Sequence, residues 1–297
     1  MALLDQIPSG GRVLLIRLRS LGDCVLTTPA IHILEQYRPD IEIAVMVEDR
    51  FREVYKGNPD VDEILPPSHE AGRRFRPHLA LDLHGGSRSA RLAFRHYSAG
   101  YGAAKFGWTY DVTIPTAERI LGVPGPLHTA EAVASTIFHL GARRMEIPRA
   151  RLFAPPPVPR KSYAVIHAFA REPDMQWGAD RFVEAARHMR RNLGLTPVFI
   201  GSPNDDFSPF GDFETRGGDT LEQTKSLLSG ASLFLGNDSG PAHMAAAFGV
   251  PVVVLFRARE VHPWTPWRTV HETLVAEDVR QQPVRSVLEA IDRVAAS

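Results

Sequence analysis

An octapeptide in the second half of the chain combines residue types suited to binding a phosphate group. Gly236-Asn-Asp-Ser-Gly-Pro-Ala-His243 follows an apolar run and precedes helical spacing, which predicts a turn that opens a helix. Asp238 or Ser239 is then the N-cap, and Pro241 lies in the first turn. Free N–H groups at a helix start stabilise a pyrophosphate, Ser239 can add a hydroxyl donor, and His243 is expected to face the turn. A capped helix without a ligand explains the isolated octapeptide about equally well.

A second turn, Ser20-Leu-Gly-Asp23, is predicted to occupy the corresponding position in the first half of the chain. Gly22 permits close approach of another molecule, and the carboxylate of Asp23 could accept a proton from an attacking hydroxyl. A helix N-cap is the alternative role for Asp23, and for an isolated residue it is the commoner one.

One further acidic pair has a spacing that can bind a divalent metal. Asp60-Val-Asp62 lies in a segment that begins with Asn58-Pro59 and precedes a predicted strand at 64–65, so a turn is favoured over a metal site. The twelve histidines show no zinc-type spacing with the cysteine, and His-Glu-x-x-His is absent. The sequence predicts no metal.

Composition limits the possible partners. With 34 Lys and Arg against 34 Asp and Glu, no net field attracts nucleic acid, so no nucleic-acid partner is predicted. Arg88 and Arg91 belong to a local cluster of cations, for which a solvated surface and docking on an anionic acceptor or membrane surface are both open. The single cysteine, Cys24, cannot form an internal disulfide and indicates a reducing compartment.

Neither the start of the chain nor its most apolar stretch predicts membrane insertion. Asp5 and Pro8 interrupt the region where a signal peptide needs an apolar run. The stretch 244–256 contains Gly249 and Pro251 and is too short to span a bilayer. The protein is therefore expected in the cytoplasm, with at most peripheral contact at the inner face of the cytoplasmic membrane.

Apolar runs alternate with helical spacing along the chain, which predicts an α/β fold with parallel sheets and helices on both faces. The predicted strands are 12–18, 41–47, 64–65, 79–83, 163–167, 197–200, 232–235 and 250–256. The predicted helices are 27–37, 50–56, 87–96, 129–140, 180–192, 220–228 and 242–248. In such sheets ligands bind beyond the carboxyl ends of the strands, so the loops after residues 18, 83, 167, 200, 235 and 256 are candidate site loops.

The chain length of 297 residues and a proline-rich segment predict two domains. Four prolines within 154–161 favour a stiff connector. We expect Rossmann-like domains at 1–155, on the acceptor side, and 156–297, which binds the nucleotide-sugar, and leave open that the last helix packs back on the first domain. The two sheets are expected to face a central cleft that closes by a hinge at the connector.

Four segments, spread over nearly the whole chain, occur in a recognisable order. They are Arg17-Leu-Arg-Ser-Leu-Gly-Asp-Cys-Val-Leu-Thr-Thr-Pro-Ala30, Leu81-Asp-Leu-His-Gly-Gly-Ser-Arg-Ser89, His167-Ala-Phe-Ala170 with Gln176-Trp177 and Arg181-Phe182, and Gly236-Asn-Asp-Ser-Gly-Pro-Ala-His-Met-Ala-Ala-Ala-Phe-Gly-Val-Pro251. Together they resemble the motifs of glycosyltransferase family 9, the ADP-heptose–lipopolysaccharide heptosyltransferases, which have the two-domain GT-B fold.

The resemblance implies a metal-independent, inverting transfer of a sugar from a nucleotide-diphosphate donor to a glycolipid or glycan acceptor, with Asp23 as the base. No cofactor is expected, because the nucleotide-sugar is a substrate. Asp205 lies where a family acid meets the nucleotide ribose. The candidate donor-binding residues are Ser20, Gly22, Arg171, Trp177, Gly201, Ser202, Asp205, Asp238, Ser239, Gly240, Pro241 and His243. Arg88 and Arg91 are the candidates on the acceptor side.

The chain departs from the family pattern near the donor. Met175 stands where the family usually has a lysine, hydroxyl residues are missing at Phe169-Ala170, and Arg257-Ala-Arg259 replaces a glycine-proline-threonine turn. Arg171 could supply the phosphate cation instead. A catalytically silent nucleotide-binding or assembly module is the alternative function. A nicotinamide dehydrogenase is disfavoured, because Gly-x-Gly-x-x-Gly is absent after the first strand of either domain.

Overall fold

The computed structural model describes residues 2–157, 160–258 and 261–297. The chain forms two compact units, Met1–Phe153 and Ala154–Ser297. Val158 and Pro159 of the proline-rich segment lie outside the described residues, as does Arg259.

The first unit is a parallel six-stranded sheet with the order β3-β2-β1-β4-β5-β6. Its strands are β1 (Arg12–Ile16), β2 (Glu42–Met46), β3 (Glu63–Leu65), β4 (Leu79–Asp82), β5 (Ser98–Tyr101) and β6 (Val112–Ile114). Its helices are α1 (Leu21–Tyr37), α2 (His69–Phe75), α3 (Ser87–Ala93), α4 (Ala117–Leu121) and α5 (Thr129–Leu140). Strands β1 and β4 are almost wholly buried, as expected for the centre of a sheet covered on both faces.

The second unit contains a parallel six-stranded sheet with the order β12-β11-β10-β7-β8-β9. Its strands are β7 (Tyr163–His167), β8 (Thr196–Gly201), β9 (Glu214–Gly217), β10 (Leu233–Asn237), β11 (Val252–Arg257) and β12 (His271–Ala276). Its helices are α6 (Ala179–Asn192), α7 (Leu221–Ser229), α8 (Gly240–Ala247) and α9 (Val284–Ala295). The predicted pair of parallel α/β folds is confirmed.

Both sheets have the same topology when strands are counted within each unit. The first and fourth strands are neighbours, β1 beside β4 and β7 beside β10, and the chain winds outward in opposite directions from that pair. The carboxyl ends of these two strands are the switch point at which open α/β sheets bind ligands.

The shared topology corrects one prediction. The turn 20–23 follows the first strand of its unit, whereas the turn at Ser239 follows the fourth strand, β10. The two turns therefore do not correspond, and the counterpart of the Ser239 turn is the segment 83–87 after β4. Hydrophobic runs locate strands along a chain but do not give their order in a sheet.

Helix α1 begins at Leu21, six residues earlier than predicted, and Pro29 lies inside it. A proline there removes the N–H that would donate to the carbonyl of Val25. The hydroxyl of Thr28 donates to that carbonyl instead, at 2.8 Å. This local substitution of donors lets the helix continue through the proline.

The core of the second unit forms between the sheet and the pair α6 and α9. Trp177 and Phe182 are fully buried there, with their rings 5.0 Å apart in an edge-to-face arrangement. Ile291 and Val294 of α9 belong to the same apolar cluster, so the last helix packs within this unit. No helix in the described part of the chain is long and apolar enough to span a membrane.

Candidate active site

Asp23 is the third residue of α1, and its carboxylate forms part of a capping box. Oδ2 of Asp23 accepts hydrogen bonds from the N–H and the hydroxyl of Ser20, both at 3.1 Å. Ser20 is therefore the N-cap, and Asp23 supports it from inside the helix. The carboxylate thus has a fixed direction at the carboxyl end of β1.

A buried arginine holds the other oxygen of Asp23. Nη1 of Arg17 lies 3.4 Å from Oδ1 of Asp23, and Nε of Arg17 donates to the hydroxyl of Thr27 at 3.1 Å. The Arg17 side chain is 8% exposed and that of Asp23 is 23% exposed, so the carboxylate remains reachable from solvent while its partner does not. This arrangement orients an acceptor of protons without enclosing it.

The turn after β4 is fixed by Asp82, which is fully buried. Oδ1 of Asp82 accepts from the N–H groups of His84 and Gly85 at 2.8 and 3.1 Å, and Oδ2 accepts from the hydroxyl of Tyr110 at 2.8 Å. Burial and the nearby Asp82 charge raise the pKa of Tyr110, so it remains a hydrogen-bond donor. A Cβ at Gly100 would lie 2.5 Å from the Tyr110 ring, so only glycine fits beneath it.

Arg88 and Arg91, the predicted acceptor-side cations, lie on α3 and are exposed. Nη1 of Arg88 forms an ion pair with Oε1 of Glu48 at 2.9 Å. Because the N–H of Glu48 donates to the carbonyl of Leu18 at 3.1 Å, this pair lies at the end of β1, beside the Asp23 turn. Among the described residues, Arg91 forms no ion pair, and the acceptor role of both arginines stays a prediction.

In the second unit, Ser239 is the N-cap of α8 by position, but its hydroxyl does not cap the helix. Oγ of Ser239 lies 3.1 Å from Nδ1 of His167 at the end of the neighbouring strand β7. Burial lowers the pKa of His167 to about 4, with the charge of Asp205 opposing that change. His167 is therefore neutral at pH 7, and the pair shares one hydrogen bond across the switch point.

Asn237, the last residue of β10, ties together the two loops beside this pair. It is fully buried; Nδ2 donates to the carbonyl of Ala168 at 3.0 Å, and Oδ1 accepts from the N–H of Trp177 at 3.1 Å. Neither Asn237 nor His167 was among the predicted site residues. The sequence did show that each residue stands at or just after the end of a predicted apolar strand, and such strand ends are where ligands bind in parallel sheets.

The start of α8 offers fewer free donors than predicted. Pro241 has no N–H, and the N–H of Ala242 donates to the carbonyl of Ser239 at 3.1 Å. In the described part of the chain, the N–H groups of Ser239 and Gly240 are the donors of the first turn that form no backbone hydrogen bond. His243 is buried, and its ring lies 6.1 Å from that of Trp264. Asp238 donates its N–H to the carbonyl of Leu255 at 3.0 Å, which leaves its partly exposed side chain beside the turn.

The predicted ribose side of the site, after β8, forms a tight turn. Oδ2 of Asp205 accepts from the N–H of Ser202 at 2.6 Å. A Cβ at Gly201 would lie 2.7 Å from both Asp205 and the ring of Phe169, so glycine is required there. Phe169 packs edge-on against Phe207 with ring centroids 5.0 Å apart, which places an apolar wall where the sequence resemblance led us to expect hydroxyl residues.

Arg171 lines a cavity of about 310 Å³ together with Ala170, Gln176, Trp177, Gly178 and Arg280. Within the described ranges, Arg171 forms no ion pair, whereas Arg280 is held by Asp278 at 2.7 Å. The Trp177 ring is buried, and its Nε1 donates to the carbonyl of Gln282 at 2.9 Å, so its side chain serves the core. Direct contact between Trp177 and a nucleotide stays a prediction.

Arg257, in the segment that departs from the family's glycine-proline-threonine turn, forms ion pairs within the unit. Its Nη1 lies 2.9 Å from Oδ2 of Asp174 and 3.3 Å from Oε2 of Glu172. Met175, at the family's lysine position, directly follows Asp174 and is partly exposed. The 172–175 segment therefore carries two acids and no cation.

The pair Asp60 and Asp62 has structural partners. Asp60 forms an ion pair with Arg151 at 2.6 Å, and Oδ2 of Asp62 accepts from the N–H of Ile43 at 2.7 Å. Among residues 2–157, 160–258 and 261–297, no group of three His, Cys, Asp or Glu side chains could hold a metal ion.

Comparison with known proteins identifies the family. A model of glycosyltransferase family 9 (heptosyltransferase) matches residues 140–293, more than half of the chain. Lipopolysaccharide heptosyltransferase 3 of Escherichia coli (strain K12) is 25% identical over 92% of this chain and 90% of its own length. The chain therefore belongs to glycosyltransferase family 9.

Solved structures show the same fold at lower identity. A family 9 glycosyl transferase from Veillonella parvula is 17% identical and has a TM-score of 0.83, covering 98% of this chain and 99% of its own. The E. coli heptosyltransferase WaaC, solved with ADP and with ADP-2-deoxy-2-fluoro heptose, is 18% identical with a TM-score of 0.77, covering 95% and 99%. The fold is of the GT-B type.

Proposed function

We propose that the protein transfers heptose from ADP-heptose to a hydroxyl of a lipopolysaccharide core or related glycan, with inversion at the anomeric carbon. Membership of a heptosyltransferase family and full-length similarity to lipopolysaccharide heptosyltransferase 3 support the reaction class. The fold shared with WaaC, which was solved with ADP, supports the choice of nucleotide.

The observation that carries the proposal is the Asp23 carboxylate, held by Ser20 and Arg17 at a switch point yet open to solvent. A carboxylate in that place can take the proton of the acceptor hydroxyl as the oxygen attacks the anomeric carbon. The bond between that carbon and the ADP oxygen then breaks, and ADP leaves with the electron pair. Attack opposite the leaving group inverts the configuration.

On the donor side, the leaving ADP needs positive potential. We assign this role to the Gly240 N–H at the start of α8 and to Arg171, which is free of ion pairs in the described ranges. Asp205, Ser202 and Gly201 form the turn proposed for the ribose. With these groups in place, transfer is expected to need no divalent metal.

The acceptor in this proposal is a glycolipid or a glycan, and a glycolipid acceptor lies at a membrane surface. The enzyme is accordingly expected in the cytoplasm, with at most peripheral contact at the inner face of the cytoplasmic membrane. The exposed cations Arg88 and Arg91 on α3 are the proposed contacts for the anionic groups of that acceptor.

A nucleotide panel followed by product analysis tests the proposal. ADP-sugars are expected to raise the melting temperature more than UDP- or GDP-sugars at equal concentration. Incubation with ADP-heptose and a heptose-deficient core oligosaccharide should give a product whose anomeric configuration, read by NMR, is opposite to that of the donor. Turnover should persist in EDTA. Stabilisation by no nucleotide at all would contradict the proposal.

A second candidate is a catalytically silent nucleotide-binding or assembly module. The acids Glu172 and Asp174, paired with Arg257 beside Met175, favour it because they remove positive potential near the donor turn. Met175→Lys separates the candidates. A silent module should gain transfer by a large factor from the restored cation, whereas robust wild-type turnover would exclude it.

A further inference from the structure

The turn after β4 places an imidazole next to the Asp23 turn. The N–H of Leu83 donates to the carbonyl of Ile16 at 3.1 Å, so His84 lies beside the residues that directly follow β1. Arg17 directly follows β1, and its Nη1 lies 3.4 Å from Oδ1 of Asp23, so the Asp23 carboxylate is held by a residue that adjoins this contact. Asp82 fixes the backbone of His84 by accepting its N–H at 2.8 Å.

The two ring nitrogens of His84 have different surroundings. Nδ1 is buried and, in the described part of the chain, has no hydrogen-bond partner, whereas Nε2 is not enclosed in this way. Burial and the positive charge of Arg17 lower the pKa of His84, so the ring is neutral at pH 7 and carries one proton. Because an N–H at Nδ1 would have no acceptor, we assign the proton to Nε2.

A donor and an acceptor of hydrogen bonds therefore lie on neighbouring turns at the first switch point. The carboxylate of Asp23 accepts, and the Nε2–H of His84 donates. We propose that His84 is a specificity-determining residue that donates this hydrogen bond to a second hydroxyl of the acceptor sugar, adjacent to the hydroxyl that Asp23 deprotonates. The site then selects acceptors with a vicinal diol, an inference that rests on the proposed function.

The neutral charge of the ring matters for this role. A lysine or a charged histidine at the same place would stabilise the ionised form of Asp23 and lower its basicity. A neutral N–H donor binds the acceptor without that penalty. The rigid support of the turn by Asp82 and Tyr110 keeps the donor in place before the acceptor arrives.

Steady-state kinetics of the full chain with ADP-heptose and a core oligosaccharide test the assignment. His84→Leu should raise the KM for the oligosaccharide about tenfold, as for loss of one hydrogen bond, and leave the KM for ADP-heptose unchanged. His84→Gln, whose amide retains a donor, should recover most of the affinity. His139→Leu, at an exposed histidine of α5, is the matched control.

The decisive experiment uses an acceptor analogue that lacks the neighbouring hydroxyl. For the wild type, the analogue should lose about tenfold in kcat/KM, and His84→Leu should lose nothing further with it, since both changes remove the same bond. Equal losses in the wild type and in His84→Leu would overturn the assignment, as would a His84→Leu variant with unchanged oligosaccharide affinity.

Calorimetric titration of the oligosaccharide into the ADP-bound protein tests His84 independently of turnover. His84→Leu should raise the dissociation constant of the oligosaccharide about tenfold. The ADP affinity and the melting temperature of the variant should match those of the wild type. A wild type that binds ADP and oligosaccharide but transfers nothing would overturn the proposed function alone. A wild type that fails to bind the oligosaccharide would overturn both proposals.

Discussion

The two switch points have the same strand order but differ in how a buried polar residue at the end of the fourth strand is used. In the first unit, Asp82 closes its own turn by binding the N–H groups of His84 and Gly85. In the second unit, Asn237 reaches out of its own turn to the loops at Ala168 and Trp177. A carboxylate, which only accepts, suits a turn made of N–H groups, whereas an amide can join a carbonyl to an N–H.

The N-cap serines differ in the same way. Ser20 donates to Asp23 within its own helix start, and the result is a carboxylate in a fixed direction. Ser239 instead contacts His167 on the adjacent strand, and its side chain does not cap α8. One topology therefore carries two differently supported turns, with the proposed proton acceptor in one unit and the proposed phosphate-binding helix start in the other.

Removing the charge of Asp23 should produce the largest functional effect. Asp23→Asn keeps an oxygen for the Ser20 hydrogen bonds but cannot take a proton, so kcat should fall by about 10²–10⁴-fold. ADP affinity, measured by calorimetry, should stay at the wild-type value. Asp49→Asn, at a side chain that is 97% exposed, is the control and should turn over normally. An Asp23→Asn variant that kept more than a tenth of the wild-type kcat would show that the Asp23 turn does not supply the proton acceptor, and the proposed difference in function between the two turns would be lost.

The second switch point should make stability depend on pH. The folded-state pKa of His167, about 4, lies below the ordinary value of 6.5, so the unfolded chain binds the proton first as the pH falls. The contribution of His167 is therefore complete above pH 6.5 and is lost between pH 6.5 and 4, by up to about 3 kcal/mol.

Urea unfolding at a series of pH values measures this effect. Other buried histidines act in the same direction, so the informative quantity is the difference between the wild type and His167→Asn. That difference should shrink as the pH is lowered through the window. A parallel pH dependence in the two proteins would show that His167 is not the titrating group.

Loss of the Asn237 amide should have the next largest effect on stability. Asn237→Ala leaves the Trp177 N–H and the Ala168 carbonyl without their partner, so the free energy of unfolding should fall by about 2 kcal/mol. ADP binding should weaken as well, because the Ala168 and Trp177 loops lose their common anchor. Asn192→Ala, at the exposed end of α6, should change neither quantity.

The smallest expected effect separates the two serines. Ser20→Ala removes a capping interaction and should lower the free energy of unfolding by about 1 kcal/mol, equally at pH 7 and pH 5. Ser239→Ala removes a contact with His167 instead of a cap, so its effect should change as the pH is lowered to about 4, where the folded-state pKa of His167 lies. If the loss in free energy of unfolding had the same pH dependence in both variants, the two serines would not differ in their structural roles.

The sequence predicted well those elements whose pattern is complete within a few residues. Helix α5 and strand β7 have the predicted bounds, because an apolar face or an apolar run spans each of them fully. Strands β5 and β9 were missed, since Ser98-Ala-Gly-Tyr101 and Glu214-Thr-Arg-Gly217 lack the apolar run that marks a strand. Their partners in the sheet, and not their own composition, make them strands.

For the candidate site, the sequence located the turns but not their hydrogen bonds. The cap position of Ser239 was predictable from its neighbours, whereas its bond to His167 depends on two strands that are 72 residues apart. The same limit applies to Arg17, whose contact with Asp23 needs the geometry of the β1 turn. Which partner a polar side chain selects is decided by tertiary structure.

The close fit of Gly100 under the Tyr110 ring has an evolutionary consequence. Any larger residue in β5 must push that ring away and so break its bond to Asp82, which orients the turn that carries His84. Substitutions at a position with no ligand contact would thus be selected against through acceptor recognition. We expect natural variation among close relatives to preserve glycine at 100 wherever tyrosine is kept at 110, and to change both together otherwise.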